Sequence, residues 1–193
     1  VGDQKRLDGK KVRILGFNHD ELAEPDTAYE TKTATGTAGI SFEYVDFLID
    51  SAQMNSSSTN SGGWASTALR TRLNGTIYDS LSIKNNIKKV KKDYIPDYST
   101  ASTSTSEDYL WLLSCGEIWS DGYNGGTTRG LAITTEGKQY KYYKTNLEST
   151  SYLTSNGITK KASESSSKWW WLRSPYYNHK ERFCGVHSKR ILW

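Results

Sequence analysis

The chain has 193 residues, enough for one domain to bury a substantial core without metals or a disulfide framework. Its 25 basic and 21 acidic residues leave a formal charge of +4, too small at this length to announce a nucleic-acid or membrane-surface protein. No stretch approaches the roughly 20 apolar residues of a membrane span, so no membrane insertion is expected. The start VGDQKRL has no signal-like apolar segment and suits a processed chain or an excised piece.

Few aliphatic residues are set against 7 Trp and 13 Tyr in a chain rich in Ser, Thr, Asn and Gly, so burial must come from a few large rings. Cys115 and Cys184 form no C-x-x-C pattern, which leaves metal and thioredoxin chemistry poorly supported. A disulfide between them is as expected as not, and would add about 4 kcal/mol by the chain-entropy model.

In chain order, KKVRILGF reads as a strand, with Val12, Ile14 and a following Gly-Phe pair against Lys11, Arg13 and Leu15, ending in a polar turn at Asn18, His19 and Asp20. Residues 23–39 read as an exposed excursion. ISFEYVDFLI, where Ile40, Phe42 and Tyr44 alternate with Ser41, Glu43 and Val45, reads as a strand entering the core. Ala65, Ala68, Leu69, Leu73 and Ile77 fall at helical spacings and predict an amphipathic helix over 64–74, stopped near Gly75. A second short helix is predicted over 81–90. Its lysine-rich end, IKNNIKKVKKDY, reads as a solvated face over inward Ile83, Ile87 and Val90 in preference to a phosphate-binding strip.

Residues 99–108 are low-complexity and read as a surface loop inside the single domain 1–193. DYLWLLSCGEIW predicts a buried strand running into a turn or short helix. The glycine-rich SDGYNGGTTRG lacks phosphate-cradle spacing and goes to turns. EGKQYKYYKTN predicts a short helix and TSNGITKKASESSS a polar loop. KWWWLRSP and RFCGVHSKRILW read as strands joined by YYNHKE. Alternation puts Trp170, Leu172 and Ser174 on one face and Trp169, Trp171 and Arg173 on the other. With tryptophan on both faces, that strand should be covered on both sides, and at least two of the three rings should be structural. The fold class that results is α+β: a small antiparallel sheet, one or two helices and long irregular loops.

Chemistry is sparse by comparison. His19, His179 and His187 sit in no nucleophile–base motif, G-x-S-x-G is absent, and the cysteines lack a protease context. NHDE at 18–21 is the nearest approach to a metal cluster and reads better as a capping turn; neither metal nor cofactor is expected. No carboxylate pair stands out for glycoside hydrolysis.

The segments VRILGFNHDEL, ISFEYVDFL, GGWASTALRTRLN, LWLLSCGEIW and, above all, WWLRSP followed by FCGVHS resemble an uncharacterised domain-of-unknown-function family. It is abundant in secreted or surface proteins of Gram-positive gut bacteria and their phages. Its members look like distant relatives of the C-type-lectin-like fold, which is therefore the architecture implied here. The motif positions carry over as Asn18, His19, Asp20, Gly63, Trp64, Arg70, Leu73, Asn74, Trp170, Trp171, Leu172, Arg173, Ser174 and Pro175, most of them expected to be structural. Arg70 and Arg173 suit bidentate pairing that pins loops. The chain departs from the pattern where it reads KRILW in place of a G-[VF]-R-P-A-F type ending. EPD at 24–26 lies in the wrong part of the chain for a lectin calcium loop, and the cysteine pair of the formylglycine-generating enzymes has no counterpart.

The resulting expectation is a non-enzymatic recognition domain on a cell surface or virion, binding a glycan or protein and no nucleic acid. Its contact surface is placed at Tyr176, Tyr177, Asn178, His179, Lys180 and Arg182 with His187, Lys189 and Arg190; an ordinary solvated hairpin is the competing reading of these residues. The same segment would be the target of retroelement diversification. The alternatives are a hydrolase acting on polysaccharide or peptidoglycan, and a structural subunit of a virion or appendage whose exposed rings serve homo-oligomeric assembly.

Overall fold

The computed structural model describes residues 1–24, 36–97, 99, 102–119, 136–146, 161–163, 166–176, 179–186 and 191–192. The glycine-rich stretch 120–135, the polar stretch 147–160 and most of the 23–39 excursion therefore lie outside the described residues.

The described chain is α+β, with small antiparallel sheets and short helices. Strands β1 (Gln4–Leu7), β2 (Lys10–Phe17) and β3 (Ile40–Tyr44) form a meander. β4 (Val90–Tyr94) pairs with β5 (Ser104–Asp108), and β6 (Lys161–Ser163) with β7 (Ser166–Ser167). β8 (Trp170–Pro175), β9 (Phe183–Val186) and β10 (Ile191–Leu192) make a second three-stranded sheet in the order β10-β9-β8. The helices are α1 (Ala68–Arg72), α2 (Tyr78–Ser80), α3 (Cys115–Ile118) and α4 (Lys141–Asn146).

Several predicted elements take a different form. The helix does not stop at Gly75: after a 3-10 turn at Trp64–Ser66 and α1, it continues through a widened turn at Leu73–Ile77 into α2, with Gly75 at φ −113° and ψ −108° absorbing the kink. The 81–90 helix is absent; a 3-10 turn at Lys84–Asn86 leads straight into β4. Its β-branched and alternating residues bury Val90, Lys92 and Tyr94 on one face. Ser104 to Asp108, within the stretch read as a low-complexity loop, is instead the partner strand of β4 and buries Ser106 and Asp108. Residues 109–114 are irregular rather than a strand. No disulfide joins Cys115 and Cys184.

In β3 the burial is the reverse of what its apolar residues suggest. Ser41 and Glu43 face the interior, while Phe42 and Tyr44 are half-buried and Ile40 is exposed. The reason lies across the sheet. Glu43 is registered opposite Arg13, accepts from its Nε at 2.8 Å and from its second amino group, and shares the Tyr143 hydroxyl proton between its two oxygens, each 3.0 Å away. Arg13 also donates to the Tyr142 hydroxyl at 2.7 Å and lies 4.1 Å over that ring. The ion pair thus fastens α4 to the sheet. A polar face turned inward is tolerable only because each charge is paired.

Two apolar clusters complete the interior. One joins Leu15, Leu113, Ile118, Trp119, Tyr140, Tyr143, Leu172 and Val186; the other joins Met54, Trp64, Leu69, Leu73, Tyr94 and Phe183. The second hangs on the GGW turn. Gly63 has φ +59°, and a Cβ there would stand 2.1 Å from the Ile95 carbonyl oxygen, so backbone approaches backbone where only glycine fits. Gly63→Ala should therefore cost about 3 kcal/mol or more, measured as a lowered urea midpoint with an unchanged m-value.

Candidate functional site

Buried charge organises the molecule at three centres. The first is the Arg13–Glu43 pair described above. At the second, Asp108 is fully buried and accepts from Trp64 Nε1 (3.0 Å), Arg70 Nε (2.6 Å), Asn74 Nδ2 (3.2 Å) and Ser106 Oγ (2.6 Å). The motif residues Trp64, Arg70 and Asn74 thus converge on one carboxylate that the sequence reading did not single out. Asn74 also binds the Leu110 carbonyl and the amides of Tyr109 and Leu110, fixing the path of the irregular stretch that follows β5.

The third centre surrounds Arg173, which is fully buried. The register between β8 and β9 shifts between Trp171 and Pro175, and this bulge directs Arg173 inward and releases its backbone N–H to the Leu113 carbonyl at 3.0 Å. Its guanidinium donates to Glu117 Oε2 (2.6 Å) and to the carbonyls of Asp93 (2.9 Å), Leu112 (2.8 Å) and Glu136 (2.7 Å). Glu117 is also the capping-box residue of α3, accepting from the Ser114 amide at 3.0 Å while its own amide donates to Ser114 Oγ. Lys92 pairs with Glu117 and, at 2.7 Å, with Asp20, which also accepts from Ser41 and from the Tyr140 hydroxyl.

Two earlier expectations are corrected at this centre. Lys92 is a buried cation, not part of a solvated lysine face, and the buried Asp20 carboxylate pairs with Lys92 rather than capping neighbouring amides. His19 stacks on Tyr140 with ring centroids 4.0 Å apart.

Burial opposes ionisation at both carboxylates, but Lys92, Ser41 and Tyr140 hold Asp20 below its ordinary range, and Arg173 with Lys92 holds Glu117 below its own. These acids are committed to the chain's own cations. Among the described residues, no group of three or more His, Cys, Asp or Glu is placed to hold a metal.

A cavity of about 600 Å³ opens beside this frame. Its walls come from β3 and the stretch after it, from Leu69 and Leu73, from 86–90, from 109–113 and from Trp169, Trp170 and Trp171. The lining is predominantly apolar and aromatic, the character of small-ligand pockets, and its size falls within their usual range.

The tryptophan run departs from expectation here. Trp169 is 53% and Trp171 39% exposed, so two of the three rings are not core; only Trp170 packs against the first cluster. The Trp171 indole donates to the Ala52 carbonyl at 2.9 Å, which holds the ring as a wall. The second half of the strand, 172–175, is buried on both sides as expected.

Of the predicted contact residues, Tyr177, Asn178, His187, Lys189 and Arg190 lie outside the described residues. Tyr176, His179, Lys180 and Arg182 share the turn between β8 and β9. Buried Asn60 ties that turn down, donating to the carbonyls of His179 (2.8 Å) and Arg182 (2.6 Å) while its amide reaches Lys180. Tyr176 and His179 rings lie 4.8 Å apart, and His179 Nδ1 is 3.1 Å from Glu181. This turn and the tryptophan cavity occupy opposite ends of β8, about 17 Å apart along the strand.

Residues 35–192 match the model of a family described as a domain of unknown function, DUF6273. The chain belongs to the DUF6273 family. The matched region takes in the GGW turn, Arg70, Asn74 and the WWLRSP strand, but begins after Asp20, so β1, β2 and the Asp20 contribution to the charge centre precede it. No curated protein and no solved structure is significantly similar to this DUF6273 chain. Among its described residues, no helix is long and apolar enough to cross a membrane.

Two outcomes follow for the charge centre. Arg173→Lys, which cannot replace the planar fork, should cost about 3–5 kcal/mol in denaturant unfolding. Because the folded-state pKa values of Asp20 and Glu117 are depressed, their contribution is present above the ordinary carboxylate pKa of about 4 and is lost as pH falls through the lower folded values. Thermal melts below pH about 4 should accordingly fall more steeply for the wild type than for Asp20→Asn.

Proposed function

We propose that this DUF6273 chain is a non-catalytic recognition domain of C-type-lectin-like architecture, displayed on a cell surface or virion, that binds a glycan or protein ligand in the cavity walled by Trp169, Trp170 and Trp171. The observation that carries the reading is the aromatic cavity itself: two large rings, Trp169 and Trp171, are exposed at its edge, and the Trp171 indole is held there by its hydrogen bond to the Ala52 carbonyl, at a position where burying them would have been cheaper. Flat, rigid rings give contact area at low entropic cost, for sugar faces and for protein side chains alike. Short strands and helices separated by irregular stretches are the pattern on which the lectin-like architecture rests.

The polar turn holding Tyr176, His179, Lys180 and Arg182 supplies a second contact patch at the far end of β8. At Asp20, Glu43, Asp108 and Glu117 a binding frame is favoured over a catalytic role, since each of these acids is engaged by internal donors.

A glycan array and a cell-wall pull-down with the purified chain, repeated with Trp169→Ala and Trp171→Ala, test this reading. Either substitution should weaken binding at least about tenfold while leaving the melting temperature nearly unchanged. Binding that depends instead on Tyr176, His179 and Arg182 would move the site to the turn. Turnover of a polysaccharide, or self-assembly without ligand binding, would overturn the proposal.

A further inference from the structure

Lys92 is 3% exposed, and its ammonium lies between two buried acids, 2.7 Å from Asp20 Oδ1 and in ion-pair contact with Glu117 Oε1. None of the three lines the cavity.

The pair is arranged as an amine and an acyl group. The Asp20 C–O bond adds about 1.2 Å to the hydrogen-bond distance, so Nζ stands no more than about 4 Å from Cγ, held there without competing motion. Asp20 Oδ2 accepts from the Ser41 hydroxyl, and the Tyr140 hydroxyl lies 2.8 Å from both carboxyl oxygens. These donors face the atoms on which negative charge collects when an amine adds to Cγ. Glu117 Oε2 is taken by Arg173 and by the Ser114 amide. Its Oε1 touches Lys92 Nζ and accepts no hydrogen bond of ordinary geometry among the described residues, which leaves it open to receive a proton from the ammonium. Ser41, Tyr140 and Glu117 are as buried as the pair itself, and the Trp111 and Tyr140 rings stand 4.8 and 5.5 Å from Nζ.

Burial also favours removing the charges. Two desolvated ions are costly even when paired, whereas an amide is neutral and its by-product is water. Arg173 and Glu117, left behind, still balance each other at 2.6 Å.

We propose that Lys92 and Asp20 close an intramolecular amide cross-link, with Glu117 as the proton relay. Glu117 Oε1 takes one proton from the ammonium, the freed amine adds to Asp20 Cγ, and Ser41 and Tyr140 hold the oxyanion. The Cγ–Oδ1 bond then breaks, and that oxygen departs as water with two hydrogens from the nitrogen, one of them returned by Glu117. The third hydrogen stays on the amide, so the ion pair becomes amide plus water with no other reactant. The bond joins the turn after β2 to β4 across 72 residues, and so fastens β1 and β2 to the family-matched region. The ion pair is the state before closure, and the acid dependence expected of Asp20 belongs to that state. The cross-link stands or falls independently of the recognition reading.

Mass spectrometry of the intact chain, kept folded at neutral pH for several days, tests it. The mass should fall by one water, and proteolysis should yield a branched peptide joining Asp20 to Lys92, with trypsin no longer cutting after Lys92. Asp8 and Asp121, each followed by glycine, lose the same mass on forming a succinimide, so the branched peptide decides. Lys92→Met and Asp20→Ala should give no branch, and Glu117→Gln should slow its formation at least about tenfold. A branch that forms as fast in folded Glu117→Gln overturns the relay. Should the variants not fold, the wild type alone decides: linear peptides throughout, with normal cleavage after Lys92, or a branch between any other pair, overturn the cross-link.

Discussion

Arg173 is the residue on which the remaining elements depend. A fully buried guanidinium is tolerable only when its donors meet acceptors, and here those acceptors are Glu117 and the carbonyls of Asp93, Leu112 and Glu136. Four separate stretches are thereby tied to β8: the end of β4, the irregular run before α3, α3 itself, and the approach to α4. A fold with short strands and few helical turns has little backbone ladder to keep such stretches in place. Buried, fully donated charge substitutes for it, and the Asp108 and Arg13–Glu43 centres repeat the device for α1 and for α4.

Putting charge in the interior has a consequence for the rings. Where Ser41 and Glu43 occupy the inward face of β3, Phe42 and Tyr44 are left half-buried, on a strand that lines the cavity. Where the β8 bulge brings Arg173 inward, Trp169 and Trp171 are left at the cavity edge. The same substitution of polar for apolar residues at core positions therefore builds the frame and lines the candidate site. Glu136 sits between the two, adjoining the guanidinium that holds the cavity wall.

Much of this frame was legible from local patterns. β2, β3, β8, β9 and α4 follow from alternation or helical spacing, and Arg70 and Arg173 were read as loop pins because planar forks suit that task. Their acceptors were not legible, since ion-pair partners are set by tertiary proximity: Asp108 lies 38 residues from Arg70, and Glu117 lies 56 from Arg173. One signal was present and unused. SCGE at 114–117 is a capping box, which would have placed Glu117 at a helix start. The lysine run misled because counting charges suggested a solvated face, whereas strand period 2 places Lys92 beside inward Val90 and Tyr94. Alternation placed Trp169 and Trp171 together on one face, opposite Trp170, but could not show that this face stays open, because its cover depends on other stretches and the bulge beyond Trp171 turns Arg173 inward.

Recognition through the aromatic cavity is the central claim, and tryptophan indole NMR addresses it most directly. On titration of the labelled chain with a glycan or cell-wall fragment that it retains, the indole signals of Trp169, Trp170 and Trp171 should shift first. Those of Trp64 and Trp119, sealed in the two apolar clusters, should stay fixed. Shifts confined to the 176–182 turn, with the cavity indoles unmoved at saturation, would contradict the account.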